Sequence, residues 1–350
     1  MYKESIKMAY IAGIMDGDGS FSIGKLKTVA NPIYFPLLQF VNKRPSVVDT
    51  LTESFGGTRL VIKPSKDKKY VCNHNSYRWR IRSGKNVRPV LEKLLPYLKI
   101  KKDRAEFLLE FINSFSFEPG IKQSLDRIAL KDRYYLKMIS LNDYKSFNTT
   151  ITSVLAKENT KDPIFWSYLA GLFDTDGSFS IKKQVSNKGT QVKNPRYLPV
   201  ISLSMTDMRA INYIRSNCNL GRLYIPNNPS CSYGYHYQYG IYTKEGCVTF
   251  LRNIIPFLVG KKENAAQLLE FCEKSKKTLN CGAGVPAEEL IFRESCYRSL
   301  VNLNKYGIVK PSLMDLELLP DNAGDNKAEG SNATVNVVSE KAPYKGDAEL

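Results

Sequence analysis

The sequence predicts an α+β protein made of two tandem homologous repeats, each with an antiparallel sheet packed by helices. Three observations support this prediction: a length of 350 residues suits about two domains, an internal duplication divides the chain, and period-two strand patterns alternate with helical ones. Hydrophobic residues make up 43% of the chain and charged residues 24%, a globular composition that argues against wholesale disorder.

The duplication keeps its register over most of the chain. Tyr10–Ile23 (YIAGIMDGDGSFSI) recurs as Tyr168–Ile181 (YLAGLFDTDGSFSI), and Pro96–Phe111 recurs at nearly the same spacing as Pro256–Phe271. Such spacing indicates a tandem duplication with small loop insertions. We therefore expect an N-terminal repeat at 1–147, a linker at 148–161, a C-terminal repeat at 162–306, and an acidic, poorly ordered tail at 307–350.

The elements of repeat one are predicted in chain order, and repeat two follows the same order. The first helix is expected to end at Gly17 and Gly19, and the second lies between Pro45, suited to a first turn, and the pair Gly56–Gly57. The predicted helices are 6–15, 45–55, 86–95, 101–114 and 125–142, and the predicted strands are 21–27, 35–43, 59–63 and 76–82.

The net charge is +17 with a pI of about 9.4, which favours a polyanionic partner, nucleic acid first and an anionic membrane surface second. No apolar run reaches the length that a membrane span needs, and no targeting segment is visible at the N-terminus. Seven scattered cysteines and two histidines, His74 and His236, argue against a structural zinc site and suit a reducing compartment. We expect both histidines at the surface.

The positive charge concentrates in the strand-rich segments. Residues 21–90 contain fourteen Lys/Arg against three acids, and residues 179–245 contain nine against two. In the strand 76–82, Tyr77, Trp79 and Ile81 share one face and the arginines between them the other. A two-stranded ribbon fits the DNA major groove, where Arg pairs with guanine and Gln with adenine. The alternative is a generic basic sheet face exposed to solvent.

The repeated motif places small residues within a helix and two carboxylates at the end of that helix, where negative charge is unfavourable. Ala12, Gly13, Ala170 and Gly171 lie within helices, where Gly costs about 1 kcal/mol relative to Ala, and small residues let two helices cross tightly. Each helix then ends in Asp-x-Asp-Gly, at the negative end of its dipole. Two such ends together would bring Asp18 and Asp176 close, and divalent cations, Mg²⁺ above all, would offset the repulsion. We interpret Asp16 and Asp174 as caps of the turn.

Residues 11–19 (IAGIMDGDG) and 169–177 (LAGLFDTDG) resemble the two signature helices of a LAGLIDADG homing endonuclease in its single-chain, two-repeat form. The resemblance covers about residues 1–306. It implies two saddle-shaped sheets, joined through paired signature helices, that straddle a long asymmetric DNA site. It also implies that the last Asp of each motif binds a divalent metal and that both strands are cut across the minor groove, leaving short 3′ overhangs.

The resemblance also implies site residues. The catalytic candidates are Asp18, Asp176, Lys101, Lys261 and Asn42, and the metal-site candidates are Asp18, Asp176, Gly17 and Thr175. The position matching Asn42 in repeat two falls within Met205–Asp207, where three alternatives stay open. The DNA-binding candidates are Lys25, Lys27, Gln39, Lys43, Arg44, Arg59, Lys63, Arg78, Arg80, Arg82, Lys182, Arg196, Arg222, Tyr224, His236 and Gln238. The domain-interface candidates are Ala12, Gly13, Ala170 and Gly171.

The function predicted on this basis is site-specific double-strand DNA cleavage in intron homing, by a monomer with Mg²⁺. Mn²⁺ or Ca²⁺ would substitute, Ca²⁺ supporting binding without cleavage. Two alternatives use the same scaffold: an RNA maturase that assists splicing of its host group I intron and so binds intron RNA, and a catalytically inactive DNA-binding regulator. We expect an intracellular location away from membranes, and the family alone suggests a mitochondrion or chloroplast.

Overall fold

The computed structural model describes residues 2–28, 31–63, 75–115, 124–143, 149–151, 154–184, 195–225, 236–276 and 285–306. Repeat one consists of α1 (Tyr2–Gly17), β1 (Gly19–Leu26), β2 (Ile33–Asn42), α2 (Pro45–Phe55), β3 (Thr58–Ile62), β4 (Ser76–Arg82), α3 (Gly84–Leu94), α4 (Lys102–Ser114) and α5 (Leu125–Asn142). Repeat two consists of α6 (Pro163–Thr175), β5 (Gly177–Gln184), β6 (Arg196–Met205), α7 (Met208–Arg215), β7 (Arg222–Tyr224), β8 (Tyr237–Ile241), α8 (Lys244–Ile254), a 3₁₀ turn (Ile255–Phe257), α9 (Lys262–Lys274) and α10 (Ala287–Tyr306).

Each repeat contains one four-stranded antiparallel sheet, and both sheets have the same strand order. In repeat one the order is β1-β2-β4-β3, and in repeat two it is β5-β6-β8-β7. The α+β architecture predicted from the duplication is therefore confirmed. The ladders also give a register between the repeats, because Gly19 faces Phe40 and its counterpart Gly177 faces Leu203.

The predicted bounds of the helices and strands lie close to those of the structure, with two differences. Helix α1 begins at Tyr2 rather than at residue 6, and Glu4 in its first turn is favourable there because the carboxylate faces the positive end of the helix dipole. Strand β8 ends at Ile241, one residue before Tyr242, the position that matches Arg82 at the end of β4. The predicted tail at 307–350 and His74 lie outside the described residues.

One face of each sheet packs on helices and the other stays open. In β4, Trp79 and Ile81 are buried, while Arg78 and Arg80 between them are only partly covered. We call the side that carries the arginines the open face and the side that carries Trp79 the helix face. Because side chains alternate along a strand, the ladders assign every strand residue to one of these faces.

Helices α1 and α6 pack against each other at backbone distance. A Cβ atom added to Gly13 would lie 2.0 Å from the Tyr168 carbonyl oxygen, and one added to Gly171 would lie 2.1 Å from the Tyr10 carbonyl oxygen. Only glycine fits at either position, which explains why the duplication retains a residue that disfavours helices. All residues from Met8 to Asp16 are buried in this contact and the adjoining core.

The described part of the linker runs along repeat two. The Ala156 amide donates to the Arg215 carbonyl at 2.8 Å, and the Thr160 amide donates to the Asn217 carbonyl at 2.9 Å. The side chain of Asn159 accepts a hydrogen bond from the Asn219 amide at 2.8 Å. These bonds tie the linker to the end of α7.

Two further findings concern the cysteines and the length of the apolar helices. The buried cysteines of the described ranges, Cys218, Cys247, Cys272 and Cys296, all carry free thiols. Among the helices described, none combines the length and the apolar character needed to cross a bilayer.

Replacing Gly13 by Ala is expected to destabilise the protein by roughly 2 kcal/mol, because the new methyl group overlaps the Tyr168 carbonyl. Helix propensity alone predicts the opposite sign, a gain of about 1 kcal/mol. Urea unfolding measures the difference, with the exposed α1 variant Lys7→Ala as a control expected within about 0.5 kcal/mol of wild type. A stabilised Gly13→Ala variant would contradict the close helix contact.

Candidate active site at the seam of the two repeats

The C-terminal ends of α1 and α6 meet at the seam between the repeats. A Cβ atom on Gly17 would lie 2.0 Å from the Thr175 hydroxyl oxygen and 3.0 Å from an Asp176 carboxylate oxygen. Thr175 fits because its counterpart Gly17 has no side chain. The sequence-predicted metal-site candidates Gly17, Thr175 and Asp176 are thus brought together, and the interface candidates Ala12, Gly13, Ala170 and Gly171 are buried in or beside the contact.

Asp16 and Asp174, interpreted from sequence as caps of their own turn, instead hold a different segment of their repeat. The Asp16 carboxylate accepts hydrogen bonds from the amides of Lys99, Ile100 and Lys101 at 2.7 to 3.1 Å, just before α4. It also accepts one from the Tyr168 hydroxyl of repeat two at 2.9 Å. That interpretation is wrong because the carboxylate faces amides of the downstream segment, at the positive end of the α4 dipole.

Repeat two has the equivalent arrangement around Asp174. The Asp174 carboxylate accepts from the amides of Val259, Gly260 and Lys261 at 2.6 to 2.9 Å, ahead of α9. The Tyr10 hydroxyl of repeat one donates to it at 2.8 Å. Burial raises the pKa values of Tyr10 and Asp16, and in both cases it is the largest cause. Each carboxylate is therefore satisfied by both repeats at once.

Lys101 and Lys261 close the C-terminal ends of the signature helices. The Lys101 ammonium donates to the carbonyls of Met15, Gly17 and Gly19 at 2.5 to 3.1 Å. Lys261 does the same for Phe173, Thr175 and Gly177 at 2.7 to 2.9 Å.

An ammonium group has three N–H donors, and all three are used in each case. The charge also lies at the negative end of a helix dipole, where a cation is favourable. Burial lowers the pKa of each lysine to about 8. Any effect of these lysines on a phosphate is therefore through their electrostatic field.

Asp18 and Asp176 are left with negative charge and little compensation. Burial, the largest cause, raises the pKa of both, and the neighbouring Asp18 charge is the second cause that takes Asp176 to about 6. In the described ranges, neither carboxylate forms an ion pair with Lys or Arg. The expected repulsion between the two groups is thus present.

The two aspartates differ in their polar neighbour. The Asn42 amide donates to Asp18 at 3.3 Å, and its oxygen accepts from the Arg44 backbone amide at 2.9 Å, which fixes its orientation. The sheet register places Met205 at the position of Asn42, because both are the last residues of strands aligned through Phe40 and Leu203. This closes the choice within Met205–Asp207 and shows that repeat two has no amide at this position.

A cavity of about 260 Å³ lies beside Asp176 at the seam. Repeat one contributes the end of α1 and the start of α4, and repeat two contributes the end of β6 and the residue before β8. Its lining residues are Asp16, Gly17, Ile100, Lys101, Arg104, Asp176, Ser204, Met205, Thr206, Asp207 and His236. His236 is exposed, as expected for a surface histidine, yet it lines the same cavity as Asp176.

Nine of the predicted DNA-binding residues lie within strands on the open faces, and His236, just before β8, continues the alternation of Gln238. In repeat one the ladder places Gln39 beside Arg80, and the Arg80 guanidinium donates to Gln39 at 3.2 Å. The Nε atoms of Arg78 and Arg80 are buried and have no hydrogen-bond partner among the residues that the structure describes. Strands of the two repeats carry the rest of this group: Arg82, Lys182, Arg196, Arg222, Tyr224 and Gln238.

Three predicted DNA contacts are corrected by the structure. Lys25 and Arg59 are on the helix face, where Lys25 pairs with Asp132 at 2.6 Å and Arg59 pairs with Asp49 at 2.5 Å. Alternation explains this, since Lys25 has the parity of the buried strand residues. Arg44 reaches across the seam, donating to the Gly260 carbonyl at 2.6 Å. The remaining candidates, Lys27, Lys43 and Lys63, are exposed and lie just outside the strands.

Some site-forming residues were not identified from sequence. Tyr10 and Tyr168 have the sequence context of core aromatic residues. Their recurrence at the same position of the duplicated motif is the one pattern that indicates a further role. Arg209 pairs with Asp207 at 2.7 Å and with Asp103 of repeat one at 3.3 Å, bridging the seam beside the cavity. Nothing in its local sequence distinguished it from a solvated arginine.

Comparison with known proteins gives a family-model match over part of the chain and a shared fold over most of it. A family model described as LAGLIDADG endonuclease matches residues 169–269. No curated protein sequence matches the chain significantly. Similar solved structures include the LAGLIDADG homing endonuclease I-GzeII in complex with its DNA target, at 15% identity and a TM-score of 0.57, covering 86% of this chain and 99% of that one.

Two further structures agree. The LAGLIDADG homing endonuclease I-SmaMI bound to cleaved DNA is 16% identical with a TM-score of 0.57, covering 84% of this chain and 96% of that one. I-LtrWI bound to target DNA is 14% identical with a TM-score of 0.57, covering 85% and 98%. At these identities the likeness establishes the fold. Residues 169–269 therefore match the LAGLIDADG endonuclease family model, and the chain has the fold of these solved LAGLIDADG homing endonucleases.

Proposed function

We propose that the protein is a site-specific DNA endonuclease that cuts both strands of a long asymmetric target by divalent-metal-dependent hydrolysis, leaving short 3′ overhangs, in intron homing. The observation that supports this most directly is the position of Asp18 and Asp176, two carboxylates of raised pKa at the seam between two basic open faces. The solved relatives in complex with DNA have the same fold.

The residues at the seam fit a divalent cation. Asp18 and Asp176 are oxygen donors whose charge Lys101 and Lys261 offset only in part, since both pKa values stay raised, and carboxylate oxygens are the donors that Mg²⁺ prefers. One relative, I-SmaMI, was solved on uncleaved DNA in the presence of calcium ions. A bound Mg²⁺ would supply Lewis acidity at the scissile phosphates, and Ca²⁺ would support binding without cleavage. The groups that would hold it are the two carboxylates, with Gly17 and Thr175 beside them.

Different residues of the chain have different roles in this proposal. The open faces hold the duplex, with Arg78, Arg80 and Arg82 offering guanidinium donors to base edges and phosphates. Lys101 and Lys261 place positive charge at the helix ends, where it acts on negative charge developing at the phosphates. Asn42 orients the Asp18 carboxylate.

The two alternatives have less support. A catalytically inactive regulator would have no need for both carboxylates at an electrostatically unfavourable seam. For an RNA maturase, no contact or surface in the described ranges favours intron RNA over duplex DNA. Cleavage of a randomised duplex library with Mg²⁺, followed by sequencing of the ends, tests the proposal directly, and an uncut library would contradict it.

In metal-free protein, Asp176 should reduce stability as pH rises. Its pKa is about 6 in the folded state against an ordinary 3.8, so the folded state binds the extra proton and stability is lost as pH rises through 6. Asp176→Asn should therefore gain on the order of 1 kcal/mol relative to wild type between pH 5 and pH 8.

Urea unfolding in EDTA at both pH values measures this effect, with Glu106→Gln as an exposed acidic control. Added Mg²⁺ should stabilise wild type at pH 8 and have less effect on Asp176→Asn. A pH-independent difference between Asp176→Asn and wild type would count against a raised pKa.

Asp18→Asn and Asp176→Asn should each abolish cleavage or convert it to nicking of one strand, while duplex binding remains within about threefold of wild type. The reason is that each change removes a metal-binding carboxylate and leaves the open faces intact. Plasmid linearisation and a gel-shift assay separate the two effects. If the Asp18→Asn/Asp176→Asn double variant still linearises a target plasmid with Mg²⁺, the assignment is wrong.

Arg80→Ala should relax base choice at one position of the target, with a loss of about 1–3 kcal/mol for the preferred base pair. Arg59→Ala is the matched control, because this arginine comes from the same sheet but pairs with Asp49 on the helix face. Binding to a panel of single-base-pair variants measures both. Equal weakening on all sequences by Arg80→Ala would rule out base recognition there.

A further inference from the structure

We infer that Arg44 of repeat one is a positioning residue for the half of the seam that contains Asp176, and that it acts through the segment of repeat two that precedes α9. The inference rests on the proposed function and concerns an arginine that the resemblance assigned to DNA contact. Three observations support it: the acceptors that the guanidinium binds, the part that the bound peptide group plays in repeat two, and the different residue at the counterpart position.

The first observation is where the guanidinium is held. Arg44 is half-buried, and it donates to the Gly260 carbonyl oxygen at 2.6 Å and to the side-chain oxygen of Asn264 at 3.2 Å. Asn264 is fully buried and its amide donates to Asn304 at 2.9 Å, so this acceptor is itself fixed. A Cβ atom added to Gly260 would lie 2.6 Å from a Val47 methyl group and 3.1 Å from the Arg44 Cδ atom. The arginine therefore belongs to a closely packed contact between the repeats.

The second observation is that the Gly260 carbonyl and the Lys261 amide belong to one peptide group. Its carbonyl accepts from Arg44, and its N–H donates to the Asp174 carboxylate at 2.6 Å. A donor on the carbonyl polarises the peptide group and strengthens the hydrogen bond that the N–H makes. Arg44 thus supports the bond by which the segment before α9 is held to the end of α6.

The same segment supplies the lysine that closes α6. The Lys261 ammonium donates to three carbonyls at 2.7 to 2.9 Å, among them those of Thr175 and Gly177, on either side of Asp176. A continuous set of hydrogen bonds therefore leads from the Arg44 guanidinium to the backbone that presents Asp176. Removing the first bond releases a constraint on that backbone, and small displacements of reacting groups are costly in rate.

The third observation is that the counterpart of Arg44 cannot act in the same way. Arg44 immediately precedes α2 and Asp207 immediately precedes α7, at equal distances beyond the paired ends of their sheets. Asp207 is paired with Arg209 at 2.7 Å, and an ionised carboxylate only accepts hydrogen bonds. Asp207 therefore offers no donor to the carbonyl of Ile100, which matches Gly260 in the duplication. Loss of the arginine should for this reason affect the two strand cuts unequally.

The experiment uses the full chain and a duplex recovered from the randomised library, with a different label on each strand. Arg44→Met, which keeps an apolar stem, should shift the ratio of the two single-turnover cleavage rates with Mg²⁺ roughly tenfold, against the strand that Asp176→Asn slows more. The other strand should stay within about twofold of wild type. Both rates come from the same molecules, so a partly unfolded sample would slow both strands alike and could not produce this shift.

Duplex affinity separates positioning from DNA contact. The Kd of Arg44→Met in Ca²⁺ should stay within about twofold of wild type and keep the same salt dependence, because the guanidinium is directed to acceptors within the protein. A weaker affinity with a smaller salt slope would show that Arg44 neutralises a phosphate, and this would overturn the inference.

Two further variants sharpen the test. Arg44→Lys keeps the charge and a donor for the Gly260 carbonyl but loses the two-pronged geometry, so its strand ratio should lie between those of wild type and Arg44→Met. Arg252→Met is the matched control, because this arginine of repeat two pairs with Glu273 at 2.8 Å and both side chains are exposed. It should leave both strand rates within about twofold of wild type.

The inference is overturned if Arg44→Met slows both strands equally, leaves both unchanged, or is not improved by Arg44→Lys. These outcomes leave the proposed function intact, because wild type still cuts. If wild type cuts no duplex of the library, the proposed function fails and the inference fails with it.

Discussion

The backbone contact between α1 and α6 is the constraint on which the rest of the structure depends. Gly13 and Gly171 let the helices approach until a carbonyl of one occupies the space of a side chain on the other. The contact also fixes the position of the elements that follow it in each repeat. These are the helix end, the aspartate and the sheet that begins directly after it. The spacing of Asp18 and Asp176 is therefore set by helix packing and not by loops, which gives the candidate site the rigidity that precise chemistry needs.

The seam concentrates negative charge, and the protein neutralises all but a selected part of it. Asp16 and Asp174 are satisfied by amides at the start of a helix and by a tyrosine from the other repeat. The helix ends are closed by lysines, each with three carbonyl partners. What is left is the charge of Asp18 and Asp176, so the excess charge is confined to the two groups that a cation would bind. The scaffold in this way distinguishes a structural carboxylate from a candidate metal-binding carboxylate two residues further along the same motif.

Much of this could be predicted from sequence because an unfavourable residue that occurs at the same position of both repeats indicates a structural or functional requirement there. A glycine kept in mid-helix twice, and an aspartate kept twice at an unfavourable helix end, indicate a contact and a site. Strand alternation also assigned Arg78, Arg80 and Arg82 to one face, and the same alternation would have moved Lys25 to the other had it been applied there. The rest depends on pairing between distant segments: the counterpart of Asn42 becomes Met205 only once the ladders fix the register, and no local pattern shows that Arg44 crosses the seam.

The reciprocal bonds of Tyr10 with Asp174 and of Tyr168 with Asp16 have a consequence for how such a chain can change over time. Each repeat donates a tyrosine hydroxyl to the carboxylate that closes the start of a helix in the other repeat, so neither repeat completes this set of hydrogen bonds by itself. A chain that exchanges one repeat for a foreign one keeps both bonds only if the new repeat presents a tyrosine and an aspartate at the equivalent positions of its helix. These two positions of each helix therefore restrict which repeats can be combined in one chain.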